Sequence, residues 1–252
     1  LLVLFMLNEW SQPLPFFNLQ MLGLRNLAFA LIVLAGVLMV LTSVIIIPSS
    51  FLAQVQGYRP LQTAPVMLLM ALPQLIALPL VAALCNLRWV DCRWVLGIGL
   101  SMLALSCIGG SHLTSVWIRD DFYVLQLLQI FGQPMSVLPL LMLSTGSISP
   151  LEGPYASAWF NTVKGLSAVL ATGLLETLTT VRLHFHSTML VDSLGNSPLV
   201  SGDSADLARR LHQQAVVLTS SDLYLCMAGI ALALILLIFW LPTRMYPPRA
   251  PT

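Results

Sequence analysis

LAFALIVLAGVLMVLTSVIIIPS, residues 27–49, is the stretch from which the rest of the chain can be read. It holds no charged side chain. As a helix at 1.5 Å per residue it would reach about 35 Å, enough to cross a hydrocarbon core of ~30 Å. Its apolar residues run on continuously. The strands of a membrane barrel would alternate in polarity instead.

Working outward, five more blocks of the same kind follow, at 64–86, 94–112, 122–146, 155–181 and 222–242. The whole chain is 252 residues, 58% hydrophobic and 8% charged, with mean hydropathy +0.88. Soluble domains carry roughly 25% charged residues, so water is not the solvent for most of this surface. The expected fold class is an all-α membrane protein, a six-helix transmembrane bundle over residues 27–252. The apolar residues 1–7 are too short to span and lack a basic region before them, so they are not a signal peptide. They are expected to be the end of an upstream transmembrane helix, with the chain forming the C-terminal part of a longer protein. Residues 8–26, polar and proline-bearing, are expected to be a cytoplasmic linker.

Four connections between blocks are short. The exception, 182–221, is polar and carries Asp192, Asp203, Asp206, Arg209 and Arg210. It is expected to be a periplasmic loop. Leu207, Leu211, Ala215 and Leu218 recur there at helical spacing, which predicts a short amphipathic helix. Basic residues near span ends set orientation. Arg25, Arg88, Arg93, Arg244 and Arg249 fall on one side, and Arg59, Arg119 and Arg182 on the other. That bias places the linker and the C-terminus in the cytoplasm.

A net charge of +1 offers nothing to a nucleic acid. The four cysteines form no C-x-x-C pair and are read as free thiols in or beside the apolar blocks. His184 and His186, at i and i+2, would point apart on a helix, so no metal site is expected. An intramembrane serine protease would need a Ser and a His on neighbouring helices. All four His lie outside the span interiors and the nearest Gly-Ser, Gly146-Ser147, sits in a loop. The chain is therefore not read as an enzyme.

Polar groups within a span are costly and mark candidate sites. Lys164 and Glu176 lie in the fifth block. A Lys at a helix centre costs ~2.5–3.5 kcal/mol on insertion scales. Ser157, Asn161, Lys164, Ala168 and Thr172 fall on one helical face, which is expected to point inward. Glu176 lies twelve residues beyond Lys164, ~18 Å along the axis, too far for a direct pair. In the fourth block Gln126, Gln129, Gln133 and Ser136 recur at i, i+3, i+7 and i+10. Amides both donate and accept, so this stripe suits a cavity for varied ligands; a polar seam between helices is the competing reading. Gln74, beside Pro73, is a further candidate. Prolines 65, 73, 79, 134 and 139 predict kinks within the second and fourth spans.

Several local patterns, in order and spacing, resemble one family. Phe17-Asn18-Leu19 through Leu24-Arg25-Asn26 resembles a D-L-x-L-F-x-x-R-N linker. Gln54-Val55-Gln56-Gly57-Tyr58 resembles a Q-x-x-x-G-Y-S turn. Leu138-Pro139-Leu140, followed by Ser149-Pro150-Leu151-Glu152, resembles a late span and its loop. Ala156-Ser157-Ala158 with Asn161 and Lys164 resembles A-S-x-x-x-N-x-x-R, Lys standing where relatives carry Arg. The set resembles the C-terminal half of the fourteen-span drug/proton antiporters of the major facilitator superfamily. In the loop from Asn86 to Arg93, Asp91 and Arg93 are what remains of that family's gating loop. The resemblance implies two inverted three-helix repeats rocking against a second bundle around a midplane site. It implies proton-driven export of small amphipathic compounds across a bacterial inner membrane, with no cofactor beyond the proton gradient. The partners it implies are the lipid bilayer, the missing N-terminal half and, through the outer loop, a periplasmic adaptor protein. A facilitator for a sugar, siderophore or metabolite, and a truncated piece that does not transport, are the alternatives.

Overall fold

The computed structural model describes residues 25–87, 89–145, 153–195 and 204–238, together with 23 and 240. Over these residues the chain is helical, as α1 (Arg25–Gln54), α2 (Pro60–Cys85), α3 (Cys92–Ser111), α4 (Asp121–Thr145), α5 (Gly153–Gly195) and α6 (Ser204–Ile238). All six are long and apolar enough to cross a membrane. The segment 1–7 and, of the linker 8–26, residues 8–22 and 24 lie outside the described residues, as does Gly146-Ser147, while 25 and 26 already belong to α1.

α3 and α4 form the most extensive helix pair, and α6 packs on the other side of α3. α1 holds the bundle together by touching α4, α5 and α6, while α2 leans on α4. The α3–α4 crossing depends on Gly99. A Cβ there would stand 2.6 Å from the backbone carbonyl carbon of Met135, well inside van der Waals contact, so only hydrogen fits. Close approach through small residues is how helices associate when lipid supplies no hydrophobic driving force.

The turn after α1 is built from the residues of the Gln54–Tyr58 motif. Gly57 adopts φ +68°, a left-handed conformation open to glycine without strain. Tyr58 N–H then returns to the Leu52 carbonyl at 3.0 Å. Gln56 uses both amide protons on the α3–α4 connection, donating to the Ser115 and Trp117 carbonyls at 3.0 and 2.9 Å. Beneath this clamp, Phe122 meets Phe51 and Trp117 with ring centroids 5.8 and 5.4 Å apart.

The stretch 182–221 differs from expectation. Its described residues are helical: α5 runs on to Gly195 and α6 starts at Ser204. The helix at Leu207–Leu218 exists but is continuous with the last span. With 43 and 35 residues, α5 and α6 reach ~65 and ~52 Å, well beyond a ~30 Å core. The physical reason is plain in the residues. No Gly or Pro interrupts 182–194 or 204–221, so polarity there marks departure from lipid rather than the end of a helix. Asp206 pairs with Arg209 and Arg210 at 2.7 and 2.9 Å, one turn ahead. Asp222 on α6 receives His186 at 2.8 Å and Arg182 at 3.7 Å from α5, tying the two helices together.

Candidate functional site

The α4 stripe occupies the interior. Gln126, Gln129 and Ser136 are 1%, 0% and 0% exposed, and Gln133 is part-buried. The stripe divides into two chemically different parts. Gln133 meets α2: its Oε1 accepts from Gln74 Nε2 at 2.8 Å, and its Nε2 points at Met70 Sδ at 3.1 Å. Ser136 donates back to the Gly132 carbonyl of its own helix. The other two amides are unsatisfied. Gln126 Oε1 and both polar atoms of Gln129 are buried without a hydrogen-bond partner among the described residues. Each such group costs about 1–3 kcal/mol, and folded proteins hold few of them. Unused donors and acceptors of this kind are what a water or a ligand's polar atom would engage.

The α5 polar face stands elsewhere. Ala156, Phe160, Ser167, Ala171 and Leu175 form the buried face of α5. Asn161, Lys164 and Glu176 are exposed. The expectation that this face points inward is therefore not met within the chain. The reason is rotation about the helix axis: small residues at 156, 167 and 171 let the neighbouring helices close on that side, and the polar stripe falls just beside the contact. Beyond the stripe lies a third, apolar sector with Val169 and Leu166, 72% and 59% exposed. Neither Lys164 nor Glu176 forms an ion pair among the described residues. Since α4 and α5 touch only slightly, the fold does not bring Lys164 and Asn161 together with the glutamines.

Between α2 and α3, Asp91 caps α3, its Oδ1 accepting from the Arg93 backbone N–H at 3.1 Å. The Arg93 side chain keeps Nε and Nη2 buried without a partner. Arg182 and His186, just beyond the end of the fifth block, are joined by a residue the sequence did not point to, Asp222 of α6. The signal of this cluster was the i, i+4 spacing of Arg182 and His186, which shares a helical face once the helix is known to continue. No group of three or more His, Cys, Asp or Glu able to hold a metal occurs among the described residues. Cys85, Cys92 and Cys107 are buried and Cys226 is exposed, all as free thiols.

The architecture is that of a multi-pass, all-helical membrane protein. The chain matches no protein-family model, and a search of curated proteins returns no match.

Proposed function

We propose that the chain is one bundle of a secondary active transporter, exporting small amphipathic compounds in exchange for protons by alternating access. The type is the fourteen-span drug/proton antiporter of the major facilitator superfamily, in a bacterial inner membrane with the C-terminus cytoplasmic. One observation carries the reading: the exposed polar face of α5, with Asn161 and Lys164 inside a helix long and apolar enough to span a membrane. Lipid penalises such a face by a few kcal/mol. A water-filled path, closed on its far side by a second bundle, removes that penalty. The unsatisfied amides of Gln126 and Gln129 support a site that accepts varied ligands, because each can donate or accept. A sugar, siderophore or metabolite would use the same polar face. What favours amphipathic compounds is the apolar wall in which these few polar groups are set. In this reading Lys164 and Glu176 serve the proton and substrate pathway, and two inverted three-helix repeats make up the bundle.

The test is export by the full-length protein in everted vesicles. Lys164→Ala is expected to abolish proton-coupled export while abundance stays near wild type. Lys164→Arg keeps the charge and should retain substantial activity. An alanine variant that exports like wild type would sink the proposal, since Lys164 would then be a packing or snorkelling residue.

A further inference from the structure

At the end of the bundle that carries the α2–α3 turn, a cavity of about 370 Å³ opens between the start of α3 and the end of α6. Three features of its lining belong together. The first is Arg93. Its Nε and Nη2 are buried and bond nothing among the described residues. These two nitrogens lie on one edge of the guanidinium, the edge that grips a phosphate or carboxylate with two parallel hydrogen bonds. Among the described residues the lining holds one carboxylate, Asp91, and its Oδ1 is committed to the helix cap through the Arg93 backbone N–H. It forms no ion pair with the guanidinium among the described residues.

The second feature is the wall beyond Arg93, which is apolar and runs along α3. Trp94, Gly97, Ile98 and Ser101 succeed one another at three- and four-residue steps, with Ile235 and Ile238 of α6 opposite. Ser101 Oγ is spent on the Gly97 carbonyl at 2.7 Å, so it presents no free donor. From Arg93 to Ser101 the wall covers ~12 Å toward the membrane interior.

The third feature is the level of the site. Trp94 is 72% exposed, and Trp89 in the adjoining turn is 93% exposed. Indole rings on a spanning bundle collect at the boundary between headgroups and acyl chains.

We propose that this cavity binds a membrane phospholipid with an anionic headgroup, its phosphate held by the Arg93 guanidinium, which turns its buried, unpartnered Nε–Nη2 edge onto the headgroup, and an acyl chain lying along Gly97, Ile98 and Ile235. The occupant is a lipid rather than a soluble phosphate because the greater part of the wall is apolar, with Trp94 and Ile98 themselves 72% and 51% exposed. The site lies apart from the polar face of α5 and does not depend on the transport reading.

The experiment is native mass spectrometry of the purified full-length protein, titrated with phosphatidylglycerol, with phosphatidylcholine of the same acyl chains, and with glycerophosphate. Wild type is expected to retain phosphatidylglycerol in preference to phosphatidylcholine and to retain glycerophosphate hardly at all. Arg93→Ala should weaken phosphatidylglycerol binding by about 10- to 100-fold, as loss of hydrogen bonds to a charged group implies. Arg93→Lys should fall between, keeping the charge and losing the fork. Gly97→Leu is the second variant. A Cβ at Gly97 would meet Ile238 Cδ1 at 3.9 Å and nothing nearer, so the branch point is accommodated and the rest of the leucine takes up groove space. It should weaken lipid binding with Arg93 intact. Unchanged lipid retention in both Arg93→Ala and Gly97→Leu would overturn the proposal. Equal retention of glycerophosphate and phosphatidylglycerol would overturn it too, by making the site one for soluble phosphates.

Discussion

α2 and α5 are the most exposed helices of the bundle. Only 22% and 17% of their most apolar windows are buried, against 50% for α1, α3 and α4. What they expose differs. Near mid-span α2 presents Leu68, Leu72, Leu75 and Ile76, between 52% and 72% exposed. Its one amide at that depth, Gln74, is turned onto Gln133 and bonded there. α5 presents Asn161, Lys164 and Glu176. Hydrocarbon solvates the first surface without penalty; it does not solvate the second. Equal exposure in a membrane protein can thus mean two different surroundings, and composition of the exposed face tells them apart.

Moving charge between the two helices should have the largest effect. Leu75→Lys puts an ammonium where α2 faces lipid and should cost about 3 kcal/mol of insertion free energy, read as a sharp fall in membrane-inserted protein. Lys164→Leu, the reverse exchange on α5, should leave the inserted amount unchanged or higher. If Leu75→Lys accumulates like wild type, the exposed face of α2 is not a lipid face and the contrast fails.

Glycines sharpen the difference between packed and open surfaces. Gly99→Ala drives a methyl into the Met135 backbone and should lower stability by roughly 1–3 kcal/mol, measured as the unfolding midpoint in detergent. Gly173→Ala on α5 meets nothing within 4 Å. With a better helix former at that position, its midpoint should stay level or rise slightly. A clear loss at Gly173 would reveal a surface pressed against that side of α5.

The smallest effect concerns the amide that α2 tucks away. Gln74→Leu and Gln133→Leu, with the double variant, should give a coupling of about 0.6 kcal/mol, and no more than ~1.7. Zero coupling would mean the 2.8 Å contact contributes nothing, so Gln74 would face α4 for another reason than its partner.

Much of the architecture could be read from contiguous residues. The first span was legible at 27–49 because it carries no charge over a membrane's thickness, and α1 runs Arg25–Gln54. The ends of α5 and α6 were not legible in the same way. Hydropathy falls after residue 181, and that fall suggests a loop, but the backbone continues because nothing between 182 and 194 breaks a helix. The absence of Gly and Pro was the better guide there. For the candidate site, the spacing of Gln126, Gln129 and Gln133 did place them on one face. Spacing could not say that Gln133 would find Gln74 while Gln129 would find no partner, since partners come from another helix.

Length and hydropathy alone were enough to mark the six helices that, among the described residues, are fit to cross a bilayer, and the polar residues that lie within them. Length and hydropathy are sums over neighbouring residues, so no knowledge of contacts is needed to evaluate them. Only the tertiary structure decided which way those polar residues face. Facing depends on the rotation of each helix about its axis, and rotation is settled by where two surfaces can approach most closely. Gly99 against Met135 sets it for α3 and α4. Ala156, Ser167 and Ala171 set it for α5, burying the small residues and leaving Lys164 outside.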